Sequence, residues 1–252
     1  QKDKKYAYTL SNLITYTLNS KEQSRAESYL AELLSLEGIN SEVKESILSS
    51  VVKDFNSSVP INVWSHILND DFFAKHGTIA IVPLVSLIQK GDIAFLNTLN
   101  NQYLLKIDNE NAIKCFRAIG SFLWDAGYTG ESLTYCLQSV KLAERIDKQE
   151  YLLFNVDGRT NNEWNVIWSH YTDMGEGIKA LTAAQKAILL AEKYFGKESK
   201  EWIENARILA ADMSNVQSNY DRSIQLELEI ISIAKRLYGE WSTEVAEYSM
   251  SL

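Results

Sequence analysis

Proline is nearly absent from this sequence, at 2 residues in 252, and glycine is sparse at 11. A sheet-rich fold needs frequent tight turns built from those two residues, so the shortage weighs against strands and leaves room for long helices. Cysteine is rarer than a disulfide framework requires: Cys115 and Cys136 stand alone, far apart and among apolar neighbours, and read as small core residues. The three histidines, His66, His76 and His170, are scattered, and none falls in a metal-ligating spacing such as His-Glu-x-x-His. A cationic excess is missing too. Lys and Arg number 25 against 33 Asp and Glu, giving a net charge of −8 with the lysines dispersed among acids, so the footprint that nucleic acid or an anionic membrane surface demands is not there. Apolar runs such as Ile79 to Val85 fall far short of the roughly 20 residues that cross a bilayer, so no membrane insertion is expected. No signal peptide is visible, and the sequence opens on Gln1 without a methionine. A mature end left by signal cleavage and an arbitrary boundary both fit, which leaves an extracytoplasmic and a cytoplasmic location equally open.

What is present is apolar content, 46% hydrophobic with 23% charged, enough to bury a core and too much for a disordered chain. Its periodicity is helical. Tyr6, Leu10, Leu13, Ile14 and Leu18 set one stripe across residues 5–18. Ser20-Lys21-Glu22-Gln23 has the form of a capping box and predicts a second helix from Ser20 to near Gly38. Val43, Ile47, Val51 and Phe55 follow the Asn40-Ser41 cap at i+4 spacing, and Pro60 opens a further helix through Trp64 and Ile67 that the Asn69-Asp70-Asp71 cluster ends. Helix is expected again from about Pro83 and across 94–107, after which Asp108-Asn109-Glu110-Asn111 supplies a turn and a cap. The expected organisation is an irregular helical amino-terminal segment, 1–109, and a second region, 110–252.

The second region repeats itself. The segments beginning at Gly127, Gly175 and Ser218 superpose as turns, offset by 48 residues and then by 43. A small residue opens the helix after each turn (Ser132, Ala180, Ser223), followed by a large aliphatic (Leu133, Leu181, Ile224). Further along come a β-branched residue (Val140, Ile188, Ile231), an aliphatic (Leu142, Leu190, Ile233) and an alanine (Ala143, Ala191, Ala234). The unequal offset is absorbed in the loop from Asp147 to Thr160, where stacked helical hairpins tolerate insertion. Tyr194-Phe195-Gly196 and Leu237-Tyr238-Gly239 close two of the copies. Val245 then falls 43 residues after Trp202 and Leu252 falls 43 after Leu209, so a fourth copy is expected to begin and to be cut within its first helix.

This pattern resembles the tetratricopeptide repeat, in its longer form of about 42 residues found in kinesin light chains and many bacterial scaffold proteins. The likeness rests on the turn pairs Gly127-Tyr128 and Asn219-Tyr220, the small residue opening the second helix, and the aromatic-glycine endings. Phe116, Gly120 and Leu123 match the family's first helix, and Trp164, Ile167 and Tyr171 do so in part. Arg207 and Ser214 depart from it, standing where large apolar residues are preferred, and no copy has the family's terminal proline. In the amino-terminal half only Ala26, Tyr29 and Leu30 echo a second helix. The resemblance implies an all-α fold, an α-α superhelix of hairpins, with a concave groove lined by first helices. Carried over by position, the groove residues are Arg117, Ser121, Trp124 and Asp125, then Asn165, Ser169, Thr172 and Asp173, then Asn205, Asp212 and Asn215. Amides that donate to and accept from a peptide backbone, with aspartates for a basic side chain, suit a protein or peptide segment. A solvated helix face is the competing explanation of the same residues.

No catalytic constellation stands beside this. Neither cysteine lies in a reactive signature, and carboxylates such as Glu227 and Glu229 fall at helix-surface spacings. Gly175-Glu176-Gly177 is too short for a phosphate loop, and Trp164 and Trp168 at i+4 read as packing. The expectation is a non-catalytic interaction scaffold without cofactor, metal or catalytic residue. Two alternatives are a regulatory or substrate-recruiting arm of a larger enzyme, such as a caspase-like peptidase whose catalytic domain follows Leu252, and self-association by stacking of an exposed array end.

Overall fold

The computed structural model describes residues 2–20, 22–36, 84–153, 162–217 and 219–250, with isolated positions between 39 and 81. Among the described residues all regular secondary structure is helical. The helices are α1 (Lys2–Asn19), α2 (Gln23–Ser35), α3 (Ile93–Gln102), α4 (Glu110–Asp125), α5 (Thr129–Arg145), α6 (Glu163–Asp173), α7 (Gly177–Phe195), α8 (Lys200–Gln217), α9 (Tyr220–Tyr238) and α10 (Thr243–Ser249). Short 3-10 turns cover Leu104–Lys106 and Gln149–Leu152, and residues 84–89 are helical ahead of α3. The helices expected over 43–55 and from Pro60 fall almost wholly outside the described residues, as do His66, His76 and Ser218. The chain forms two compact units, Gln1–Leu142 and Ala143–Leu252.

In the first unit, α1 buries Ala7, Leu10 and Ile14, and α2 buries Ala26, Leu30 and Leu33. Tyr6, expected on the core stripe, is exposed instead, its hydroxyl donating to the Glu32 carboxylate on α2. The capping box at Ser20 does not form. Ser20 is still bonded to the end of α1 through its backbone N–H to the Tyr16 carbonyl, and α2 starts after Glu22, whose side chain caps nothing. The Asn109 cap does form, its side-chain oxygen accepting from the N–H groups of Asn111 and Ala112.

One turn recurs through both units. After a helix ends, the backbone N–H of Glu22, Asp92, Tyr128 or Glu176 reaches back five residues to the carbonyl of Thr17, Leu87, Leu123 or Tyr171, at 2.8 to 2.9 Å. Gly91, Gly127 and Gly175 carry φ of 73°, 85° and 72° at the preceding position, where a side chain would be strained, and their N–H groups bond one turn back. This is the Schellman closure of a helix. The next helix then starts from nearly the same backbone each time, with φ between −94° and −87° and ψ between 53° and 66° at Glu22, Asp92, Glu176 and Asn219. Two of these turns, at Glu22 and Asp92, lie in the amino-terminal segment that the sequence showed as only a faint echo. Between α8 and α9 the bond from Asn219 reaches Met213, six residues back, so that turn holds one more residue than the others.

The second unit is a run of antiparallel helices, each packed on the next. Its core joins α7, α8, α9 and α10 through Leu181, Ala184 and Ile188, Trp202, Ala206 and Leu209, Ile230 and Ala234, and Val245 and Tyr248. The loops after α7 and α9 are built alike. Gly196 and Gly239 have φ of 82° and 93°, and three residues later Ser199 and Ser242 accept the N–H of Trp202 and Val245. The 43-residue echo is therefore an echo of loop, cap and first core residue together.

Candidate functional site

The small-residue column sets the spacing between the two helices of a hairpin. Ser132, Ala180 and Ser223 are all buried. The hydroxyls of Ser132 and Ser223 donate to the carbonyls of Gly120 and Ala210 on the preceding helix, each at 2.7 Å. A Cβ on Gly120 would come within 2.9 Å of the Cys136 sulfur, so helices α4 and α5 are in van der Waals contact there. The columns that follow hold: Val140, Leu142, Leu190 and Ile233 are buried, as are Ala143, Ala191 and Ala234, while Ile188 is at the edge of burial and Ile231 is half-buried. Ile224 is exposed where Leu133 and Leu181 are buried.

The extra residue in the α8–α9 turn shifts α8 by one position against the count made from the turns. Met213, not Ser214, takes the place of Tyr171, and Ala206, not Arg207, takes the place of Trp164. Both apparent departures disappear. Met213 packs against the core and Ala206 is fully buried, while Arg207 stands outside with its guanidinium 4.8 Å from the centre of the Tyr248 ring. The offset from α6 to α8 thus makes His170 the counterpart of Asp212 and Glu163 that of Asn205, all four buried.

That shift decides where the expected groove residues lie. In the first unit Arg117 is buried in α4, Trp124 is half-buried, and Ser121 and Asp125 are exposed. On α6, Asn165 and Ser169 are half-buried and Thr172 and Asp173 exposed, in one i, i+4, i+7 stripe. On α8, Asn215 is exposed, but Asn205 and Asp212 point inward. Asn162, unremarked in the sequence, caps α6 through its side-chain oxygen to the Trp164 N–H. Its amide nitrogen donates to the Ala187 carbonyl at 2.9 Å and to the Asn205 side-chain oxygen at 3.2 Å. Asn205 in turn donates to the Glu201 carbonyl. Its amide is committed to joining α6, α7 and α8. Asp212 accepts the Trp168 indole N–H at 2.7 Å, pinning α6 to α8 a second time. Burial pushes the Asp212 carboxyl above the usual carboxylate range, and the indole bond pulls it back. Burial pushes the His170 imidazole below its ordinary value, against the pull of Asp173.

What remains on the open side of these two pinned helices is a polar strip. It carries Asn165, Ser169, Thr172 and Asp173 on α6, with Arg207, Ala211, Ser214 and Asn215 on α8. The side-chain oxygen of Asn165 is shielded from solvent and accepts no hydrogen bond from the described residues. Asn162 escaped the sequence reading because an asparagine cap looks ordinary until two helices are juxtaposed; Trp168, expected as packing, packs through its indole bond to Asp212, and Arg207, expected as a departure, lies outside the core. Among the described residues there is no group of His, Cys, Asp or Glu placed to hold a metal ion, and no helix is long and apolar enough to cross a membrane. Cys115 and Cys136 are both buried, and burial pushes the Cys115 thiol far up.

Among the described residues the fold is all-α, built within each unit from helical hairpins. No protein-family model matches the chain, and no curated protein sequence matches it. Among solved structures it is similar to the nearly identical TPR-like repeats of a Podosopora anserina protein described as a kinesin light chain. Identity is 7% and the TM-score 0.42, over 93% of this chain and 98% of that one. A single-substitution variant of the same protein matches at 7% identity and a TM-score of 0.42, over 94% of this chain and 97% of that one.

Proposed function

We propose that the chain is a non-catalytic interaction scaffold and that a peptide or protein segment lies along the polar strip of α6 and α8. The observation that carries this is the Asn165 amide. It sits at the amino-terminal end of the strip on α6, half-buried, with a shielded oxygen that accepts nothing from the described residues. Leaving such a group unpaired costs about 1–3 kcal/mol, and turning the half-buried amide outward to accept a peptide backbone N–H would relieve that cost. An asparagine amide also donates, so it pairs with both edges of an extended peptide unit. Asp173 and Arg207, at the two sides of the strip, give that peptide a preferred direction through opposite charges. On this reading residues 110–252 form the array, and the hairpin turns at Glu22 and Asp92 support treating 1–109 as divergent repeats of the same kind.

The test is a selection of peptides from a random display library on the intact chain, followed by binding measurements on variants. Asn165→Ala should weaken the selected peptides about 10-fold, the loss of a paired amide. Gln185→Ala, on the exposed side of α7, should leave them unchanged. Equal binding by the Asn165→Ala variant would remove the strip as the site.

A further inference from the structure

The polar strip is electrically polarised, and the two bonds that pin its helices fix the polarity. Asn162 on α6 meets Asn205 on α8, and Trp168 meets Asp212, at sequence separations of 43 and 44, so the two crossings step forward together. Helices α6 and α8 are therefore parallel and in step. Arg207 stands near the level of Asn165, at the amino-terminal end of the strip, and Asp173 near the level of Asn215, at the carboxy-terminal end. Both helix dipoles point the same way, with their negative ends on the side of Asp173. Arg207 and Asp173 are exposed, and among the described residues neither makes an ion pair. The charges that flank them are already matched, Lys200 with Glu204 at 3.6 Å and Lys179 with Glu176 at 3.1 Å. Asp212, the remaining carboxylate, is buried and bound to the Trp168 indole.

We propose that the strip selects extended segments carrying one acidic and one basic residue four positions apart. This rests on the strip being the binding site. From Asn165 to Asp173 helix α6 rises about 12 Å, at about 1.5 Å per residue. An extended chain covers that rise in about 3.6 residues, at about 3.3 Å each. Alternate side chains of such a chain leave the surface, so only an even separation lets both residues face the strip, and four is the nearest. The acidic residue belongs over Arg207. The basic residue belongs over Asp173, where it also meets the negative ends of both helix dipoles. A segment with two acids or two bases makes one attractive and one repulsive contact whichever way it lies, and one whose opposite charges are adjacent reaches only one of the two partners.

The probes are short-peptide display libraries, random except at two fixed positions: an aspartate and a lysine four apart in either order, two aspartates four apart, two lysines four apart, and an aspartate beside a lysine. Panned on the intact chain, the first should be recovered about 10-fold over each of the others. Asp173→Lys should move the preference to the two-aspartate library, and Arg207→Glu to the two-lysine library, each by about 10-fold and with the helical circular dichroism unchanged. Peptides that lose about 10-fold to Asn165→Ala yet come equally from all four libraries would overturn this inference and leave the strip standing as the site. A preference that either charge reversal leaves unmoved would also overturn it, because the charges being read would lie elsewhere. Equal recovery with the opposite charges adjacent would overturn the spacing. Peptides indifferent to Asn165→Ala, or recovery from none of the libraries, would remove the strip itself.

Discussion

The Ala180→Leu substitution tests the hairpin register at its tightest point. Ala180 lies in the first turn of α7 and is 2% exposed. Its equivalents show how little room there is: the hydroxyls of Ser132 and Ser223 stand 2.7 Å from a backbone carbonyl of the preceding helix. The acceptor opposite Ala180 is the Trp168 carbonyl, which already receives the Thr172 hydroxyl at 2.9 Å. Three added carbons can be housed only by moving α6 away from α7, at about 1–3 kcal/mol. For a chain of this length each kcal/mol lowers the melting temperature by about 2–4 °C, so the loss should be about 2–12 °C. Ala180→Ser, which adds one oxygen in the place used by the two serines, should stay within about 1 kcal/mol of the parent. Differential scanning calorimetry reads the shift. Because repeat arrays need not unfold in a single step, hydrogen exchange should show the loss in α6 and α7 first. An unchanged melt for the leucine variant, or equal losses for leucine and serine, would refute the register.

Two further outcomes follow from titratable groups. Asp212 has a carboxyl pKa raised on folding, so the folded state takes up its proton more readily than the unfolded one; the cost of the buried charge is present above the folded pKa and is relieved as pH falls through it. Asp212→Asn should therefore melt higher than the parent at pH 7 and lose that advantage in acid, as thermal melts across pH would show. His170 has a pKa lowered on folding, so its contribution is present above the unfolded value and is lost as pH falls below about 6.5. The melting temperature should drop between pH 7 and pH 5, and His170→Gln should flatten that slope even if it lowers stability at both ends.

Much of the hairpin array was legible because its signals are local. A glycine at positive φ and a small buried residue each fix a turn or a contact through their own chemistry, which is why Gly127, Gly175, Ser132 and Ser223 could be aligned without a fold. The turn at Glu22 was hidden because no glycine marks it, and Ser20 offered a capping pattern that the end of α1 had already claimed. The polar strip was half legible. One extra residue between α8 and α9 is invisible in sequence, since Ser218-Asn219-Tyr220 aligns well with a glycine-aromatic turn. It carried Asp212 from the expected groove into the packing between helices and brought Arg207 out, while Asn205 is turned inward by its bond to Asn162. Charge on a helix reads as surface by default, so nothing marked Asp212 as buried until its neighbours were in place.

The central claim is that the open side of α6 and α8 receives a protein segment. Hydrogen-exchange mass spectrometry on the intact chain, with and without a saturating display-selected peptide, tests it directly. The account predicts slowed exchange confined to 163–173 and 200–217, reached by the Asn165→Ala variant only at about 10-fold higher peptide concentration. Protection confined to other helices, with those two unchanged, would contradict it.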